Sequence, residues 1–149
     1  MQQDHRRSAA ADGTERALRI SYEPGQVLPT NAGASAQVLL AWLDPPDLDR
    51  IVAATTFTRF TDKTITTGTQ LRSRLDETRT EGVAVSRGEV DPDVIGIAAP
   101  VRGAADKVVA GISVVAAASR VPDHAVGRIA DLVRNAAEEI GDRLRLLAV

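Results

Sequence analysis

Serine, aspartate and histidine are the reactive side chains to weigh first in this 149-residue chain, because it contains no cysteine. Without cysteine there is no disulfide framework, thiol nucleophile or Cys-based metal site. The two histidines, His5 and His124, lie in a polar N-terminal segment and near a helix start among charged neighbours. Both settings suit a solvated side chain better than a ligand or general base. Asp91 and Asp93 flank Pro92, and Asp47 and Asp49 sit at a helix start, so turn and cap chemistry accounts for both pairs. No GxxxxGKS/T, HExxH or GxSxG pattern is present. With no nucleophile at a recognisable spacing from a base, no catalytic residue, metal ligand or cofactor is assigned. What remains is binding chemistry. Ser86 and Ser113 offer hydroxyls, and Gly33-Ala34-Ser35-Ala36 opens a helix whose first backbone N–H groups lack partners and whose dipole favours an anion. Close packing of that turn on a sheet would explain its small residues equally well.

The elements that must position these groups centre on Val94 to Ser119, where two apolar runs flank a short polar turn and read as paired strands. Side chains alternate across a strand with period two. One face then carries Ile95, Ile97, Val101, Val108, Ala110, Ile112 and Val114; the other carries Gly96, Ala98, Gly111, Ser113 and Val115. A face so poor in side-chain volume either receives a helix lying unusually close or leaves a cavity. Val83 to Val90 reads as a third strand that repeats the pattern, with Ala84, Ser86 and Gly88 on its small side, and this repetition favours a cavity.

Periodicity and caps predict the helices. The first runs from Ala32 to about Leu43 with Thr30 or Asn31 as cap, and the second from Asp44-Pro45 to about Ala54. A Thr-rich link leads to a third helix, capped by Thr69 and ended by Gly82. The last, about Pro122 to Leu147, buries Val126, Ile129, Val133, Ala137, Ile140 and Leu144 against the bulky sheet face, with Gly141 loosening its end. Arg16 to Tyr22 alternates like a further strand.

The length suits one domain with a real core, and a net charge of −2 with mixed signs lacks the basic patch of a nucleic-acid surface. No apolar run reaches the length of a membrane span, MQQDHRRSAA does not read as a signal peptide, and a cytoplasmic location is expected.

The ordered segments GQVLPTNAGASAQVLLAWL, LDRIV, FTDKTI, EGVAV and VIGIAAPVRGAADKVVAGISVV carry a further signal. In that order and spacing, from about Ala17 to Leu144, the chain resembles the effector-binding domain of IclR-type bacterial transcription regulators. The resemblance implies a GAF-like α/β (α+β) domain, with a mainly antiparallel central sheet, helices on both sides and a long C-terminal helix. It also implies that such a domain binds a small metabolite and changes the DNA affinity of a winged-helix domain. Its pocket positions fall on Ala34, Ser35, Ser86, Gly96, Ser113 and Val115. Ser86 stands where the family often has an acidic residue, Gly96 where it often has Cys, Val115 where it frequently has Ser, and Ala36-Gln37 where it usually has Gly-Lys.

The expected organisation is a flexible or partial edge-strand segment over 1–16 and an effector-binding domain over 17–149, with no winged helix-turn-helix in this chain. The candidate ligand-binding residues are Gly33, Ala34, Ser35, Ala36, Ser86, Gly96, Ser113 and Val115. The expected partners are a small organic acid, with an apolar or aromatic body, and further copies of the chain in a homodimer or homotetramer. DNA is reached only through a winged-helix domain outside this sequence, and no membrane is involved. A structural module with a vestigial pocket, or a small metabolite-processing enzyme, are the competing readings.

Overall fold

The computed structural model describes residues 24–147; the expected strand at Arg16–Tyr22 and the segment 1–16 lie outside them. Four helices and three strands follow in the order α1 (Ala34–Leu40), α2 (Pro45–Ala54), α3 (Gly68–Glu81), β1 (Ala84–Arg87), β2 (Val94–Arg102), β3 (Val108–Ala117) and α4 (Asp123–Leu146). The strands form an antiparallel sheet in the order β1-β2-β3. Its register makes rows across the sheet: Ser86–Gly96–Val115, then Ala84–Ala98–Ser113, then Pro100–Gly111. Paired residues point to the same face, so these small side chains share one side of the sheet, as the alternation predicts.

The other side is the larger core. Ile95, Ile97, Ala99 and Val101 meet Ala130, Val133 and Ala137 of α4, with Ile112 and Ala116 of β3 packed at the margin. Val114, which the alternation places on the same face, remains 43% exposed, because α4 lies over β2 and only the near flank of β3. The buried stripe of α4 also differs: Ala130 is buried, Val126, Ile129 and Leu144 are partly so, Ile140 is half-exposed, and Gly141 takes the inward place instead. Gly141 is a close-approach residue rather than a weak point, since a Cβ there would come 2.6 Å from the Arg102 carbonyl oxygen.

A second apolar cluster forms where Leu40 and Ala41 meet Leu48 of α2, Ile65 of the link, and Leu71 and Leu75 of α3. Trp42 packs against both this cluster and the small side of the sheet, and the Arg102 guanidinium lies 5.2 Å from its ring centroid. Helix starts deviate from the sequence expectation. Thr67, not Thr69, caps α3 by accepting from the Gln70 amide at 3.1 Å, and Gly68 is the first helical residue. Asp44 occupies the cap position of α2 with Pro45 next, but its side chain makes no capping bond. Gly82 ends α3 in the left-handed conformation, as expected.

The two glycines of α4 should respond oppositely to alanine. Gly127 faces open space, so Gly127→Ala should stabilise by about 0.5–1 kcal/mol through helix propensity. Gly141→Ala should lose about 1–3 kcal/mol, because backbone must move to admit the methyl group. Urea denaturation checks both, and equal shifts would contradict the packing described.

Candidate functional site

The chain reaches α1 through Leu28-Pro29-Thr30-Asn31-Ala32-Gly33. Neither Thr30 nor Asn31 caps the helix; Gly33 does, at φ +94° and ψ 148°, a backbone conformation that essentially only glycine adopts. Asn31 is spent elsewhere, its amide nitrogen donating to the Thr58 and Ile65 carbonyls at 3.0 and 2.9 Å, while the hydroxyls of Thr30 and Thr55 pair at 3.0 Å. These contacts pin the approach to α1 onto the Thr-rich link.

From Gly33, α1 runs across the small rows of the sheet. Val38, Ala34, Ala84 and Ala98 pack without space between them, and a Cβ on Gly111 would strike Val38 Cγ2 at 2.9 Å. Here the close-helix explanation of the small residues holds. At the row Ser86–Gly96–Val115 the helix start diverges from the sheet and leaves a cavity of about 240 Å³. Gly33, Ala34, Ser35, Ala36, Ser86, Gly96, Ser113 and Val115 all line it, so the structure brings the eight sequence-predicted residues together. Ala98, on the same face, does not join them; it is fully buried under α1. Leu28, Pro29, Ala32, Val90 and Val94 complete the wall. Of these, Val94 was legible from its two-residue offset to Gly96; the others sit in irregular segments where no periodicity points inward.

Its polar groups are few. Ser86 is 4% exposed and its hydroxyl makes no hydrogen bond among the described residues. Ser35 Oγ donates to Ser113 Oγ at 3.2 Å, strapping the first turn of α1 to β3 at the cavity mouth. The helix-start donors are fewer than the sequence suggests, since the Gly33 N–H already donates to Glu89 Oε2 at 3.2 Å. Those of Ala34, Ser35 and Ala36 have no partner among the described residues.

Glu89 is a residue that sequence reasoning missed. Its side chain is buried between Gly33, the Gln37 amide nitrogen at 3.0 Å and the Arg74 guanidinium of α3, while its own carbonyl accepts from Thr64 Oγ1 at 2.6 Å. The only available signal was an acidic residue set among glycine and valine, Gly88-Glu89-Val90. The aspartates singled out earlier have structural partners: Asp93 accepts from the Ser119 amide and hydroxyl, Asp91 from the Asp93 amide, Asp47 pairs with Arg50 and Asp49 with Arg72. His124 is exposed at the start of α4. Among the described residues no group of three or more His, Asp or Glu is placed to hold a metal ion, and no helix is long and apolar enough to cross a membrane. A larger groove of about 390 Å³ lies on the far side of Leu28 and Pro29, bounded by Ile51 to Phe60, and none of the eight predicted residues reaches it.

Comparison with known proteins places these features. Residues 11–142 match the family model described as "Bacterial transcriptional regulator IclR C-terminal". The chain is 33% identical over 127 residues to the HTH-type transcriptional regulator BhcR of Paracoccus denitrificans, covering 85% of this chain and 46% of that protein. It spans about half the length of the curated relatives it matches. A putative transcriptional regulator from Rhodococcus sp. RHA1 superposes with a TM-score of 0.83 at 27% identity, over 90% of this chain and 55% of that one. The inducer-binding domain of the PobR transcription factor from Acinetobacter, solved as a double mutant with 3-hydroxybenzoic acid, superposes at 0.74 with 28% identity, over 83% of this chain and 73% of that domain.

Removing Arg74 would leave the Glu89 carboxylate buried and uncompensated. Arg74→Met should cost about 3 kcal/mol, the lower end for breaking a buried pair, because the arginine itself is 31% exposed. Arg74→Lys should recover part of it. Chemical denaturation of the two variants checks the order.

Proposed function

The chain belongs to the IclR C-terminal family of bacterial transcriptional regulators, and from that premise we propose that the cavity beneath α1 is an effector pocket for a small organic acid. The observation that carries this reading is the cavity between the row Ser86–Gly96–Val115 and the start of α1, which offers three serine hydroxyls, those of Ser35, Ser86 and Ser113, inside otherwise apolar walls. The acid group is held by the N–H groups of Ala34, Ser35 and Ala36 and by Ser113, with Ser86 able to donate or accept one further bond. The seven-residue helix behind these amides contributes about 0.3–1 kcal/mol to an anion. Val90, Val94 and Val115 surround the rest of the ligand, which makes an apolar or aromatic body a better fit than a compact hydroxy- or keto-acid. A volume of about 240 Å³ is below the roughly 300–1,000 Å³ of drug-sized sites, so the body is of single-ring size. The 3-hydroxybenzoic acid held by the PobR inducer-binding domain is of this class.

In this reading residues 17–149 form the effector-binding domain, which senses and does not catalyse; among the described residues no nucleophile–base pair adjoins the cavity. DNA is contacted by a winged helix-turn-helix domain and not by these residues, and the protein works in the cytoplasm, where metabolite and operator meet. Calorimetry with benzoate and pyruvate tests the pocket. Benzoate should bind more tightly, and Val115→Ser should weaken it about fivefold, the loss of about 40 Å² of apolar contact at roughly 25 cal/mol per Å². Tighter binding of pyruvate would overturn the ligand class, and no binding or thermal stabilisation by either acid would favour a vestigial pocket.

The same domain assembles the protein into a homodimer or homotetramer. Among the described residues β3 is paired only with β2, and Val109 and Val114 on it are 47% and 43% exposed; an edge strand of this kind is a template for pairing. Light scattering should give a dimer or tetramer, and a monomer at high protein concentration would contradict this.

A further inference from the structure

Among the described residues no charged side chain lines the cavity. A buried carboxylate nevertheless lies one hydrogen bond behind its wall. Glu89 is 2% exposed; its Oε2 accepts from the Gly33 N–H, while its Oε1 meets Arg74. Gly33 lines the cavity and Arg74 does not, so the ion pair is oriented with its negative end towards the ligand space. Val90, the next residue along the chain, is itself part of the wall. A charge so placed is weakly screened by salt, and among the described residues there is no lysine or arginine in the lining to offset it. Glu89 also consumes the Gly33 amide, a donor that a second acid group would otherwise use.

We propose that Glu89 is a specificity-determining residue of this pocket: it admits ligands with one acid group and rejects those that bring a second. The carboxylate acts as a fixed internal anion. One negative charge on the ligand is met by the three free amides and Ser113, whereas a second would face Glu89 with, among the described residues, no cation and only the Ser86 hydroxyl to receive it. The proposal rests on the reading of the cavity as an effector pocket, and a matched set of probes separates the two. Benzoate carries one charge. 3-Carbamoylbenzoate and isophthalate have nearly the same outline and differ by one charge.

By calorimetry on the unmodified chain, 3-carbamoylbenzoate should bind at least about tenfold more tightly than isophthalate, the scale expected for like charges roughly 8–10 Å apart in a protein interior. In Glu89→Gln the gap should shrink to about threefold or less while benzoate affinity is retained. A purely structural role for Glu89 would instead weaken all three probes together, which overturns the proposal. So does a gap that persists in the variant, or 3-carbamoylbenzoate binding no better than isophthalate in the unmodified chain. If Glu89→Gln alone does not fold, the double variant Glu89→Gln with Arg74→Met removes both charges at once and carries the same comparison. Failure of benzoate to bind at all is the distinct outcome that overturns the pocket reading and this inference with it.

Discussion

Taking the Glu89 carboxylate out of water is costly, and the folded chain meets that cost by converging α1, α3 and the Thr-rich link on one residue. The Gly33 amide brings the start of α1, Gln37 the body of α1, Arg74 the middle of α3, and Thr64, bonded to the Glu89 carbonyl, the Thr-rich link. None of these elements shares a strand ladder with another, so this polar knot is what fixes the approach of α1 to the sheet. It is not fully satisfied. Gln37 Oε1 is buried without a partner among the described residues, an arrangement that costs about 1–3 kcal/mol. Exchanging the two ends of that amide would aim its oxygen at the carboxylate, which is worse. The orphaned acceptor is therefore the consequence of donating to Glu89 rather than an independent flaw.

The small residues on the sheet serve two physical purposes at different rows. At Ala84–Ala98 and Gly111 they let α1 approach until Val38 fills the gap, and stability follows from that contact. At Ser86–Gly96–Val115 the same economy of volume is not matched by a helix side chain, because Gly33 and Ala34 have little to offer. Gly96 marks the boundary: a Cβ there would sit 3.4 Å from Ala34 Cβ, an ordinary contact, so the residue is neither crushed nor wholly free. The cavity exists because the helix begins there, with a glycine forced by backbone geometry and alanine following it.

Alternation with period two was enough to sort the sheet faces, and with them Ile95, Ile97 and Val101 of the core under α4, Ile112 at its margin, and the sheet-borne residues of the cavity. Those signals are strong because a one-residue slip would turn every side chain over. Caps were less legible. Thr69 and Thr67 are equally good capping residues in sequence, and only the tertiary position of α3 chooses Thr67. Ile140 fits the helical period, yet the packing of α4 against the end of β2 turns the buried stripe onto Gly141, a contact set by the Arg102 carbonyl that no helical period reports. Glu89 and Arg74 were invisible as a pair because one lies in a turn and the other on a helix whose remaining charges face solvent. Ion pairs across elements leave no spacing to read.

The positions where the chain departs from the family pattern can be weighed together once the cavity is seen. Serine in place of an acidic residue at 86 and glycine in place of cysteine at 96 both remove volume, from adjacent places in one row. Valine in place of serine at 115 adds volume and removes a hydroxyl at the end of the same row. The space is thus moved towards β1 and β2 and its β3 wall made greasier, while the hydroxyl at Ser113 remains tied to Ser35 at the mouth. Among the described residues no acidic side chain lines the cavity; Glu89 is set behind its wall, bonded to Gly33 and held there by Arg74. An anion acting through a peptide group discriminates by total charge rather than by directional bonding. In the proposed reading, recognition of shape falls to the valines, and recognition of the acid group to backbone amides, which no side-chain substitution in the row can remove.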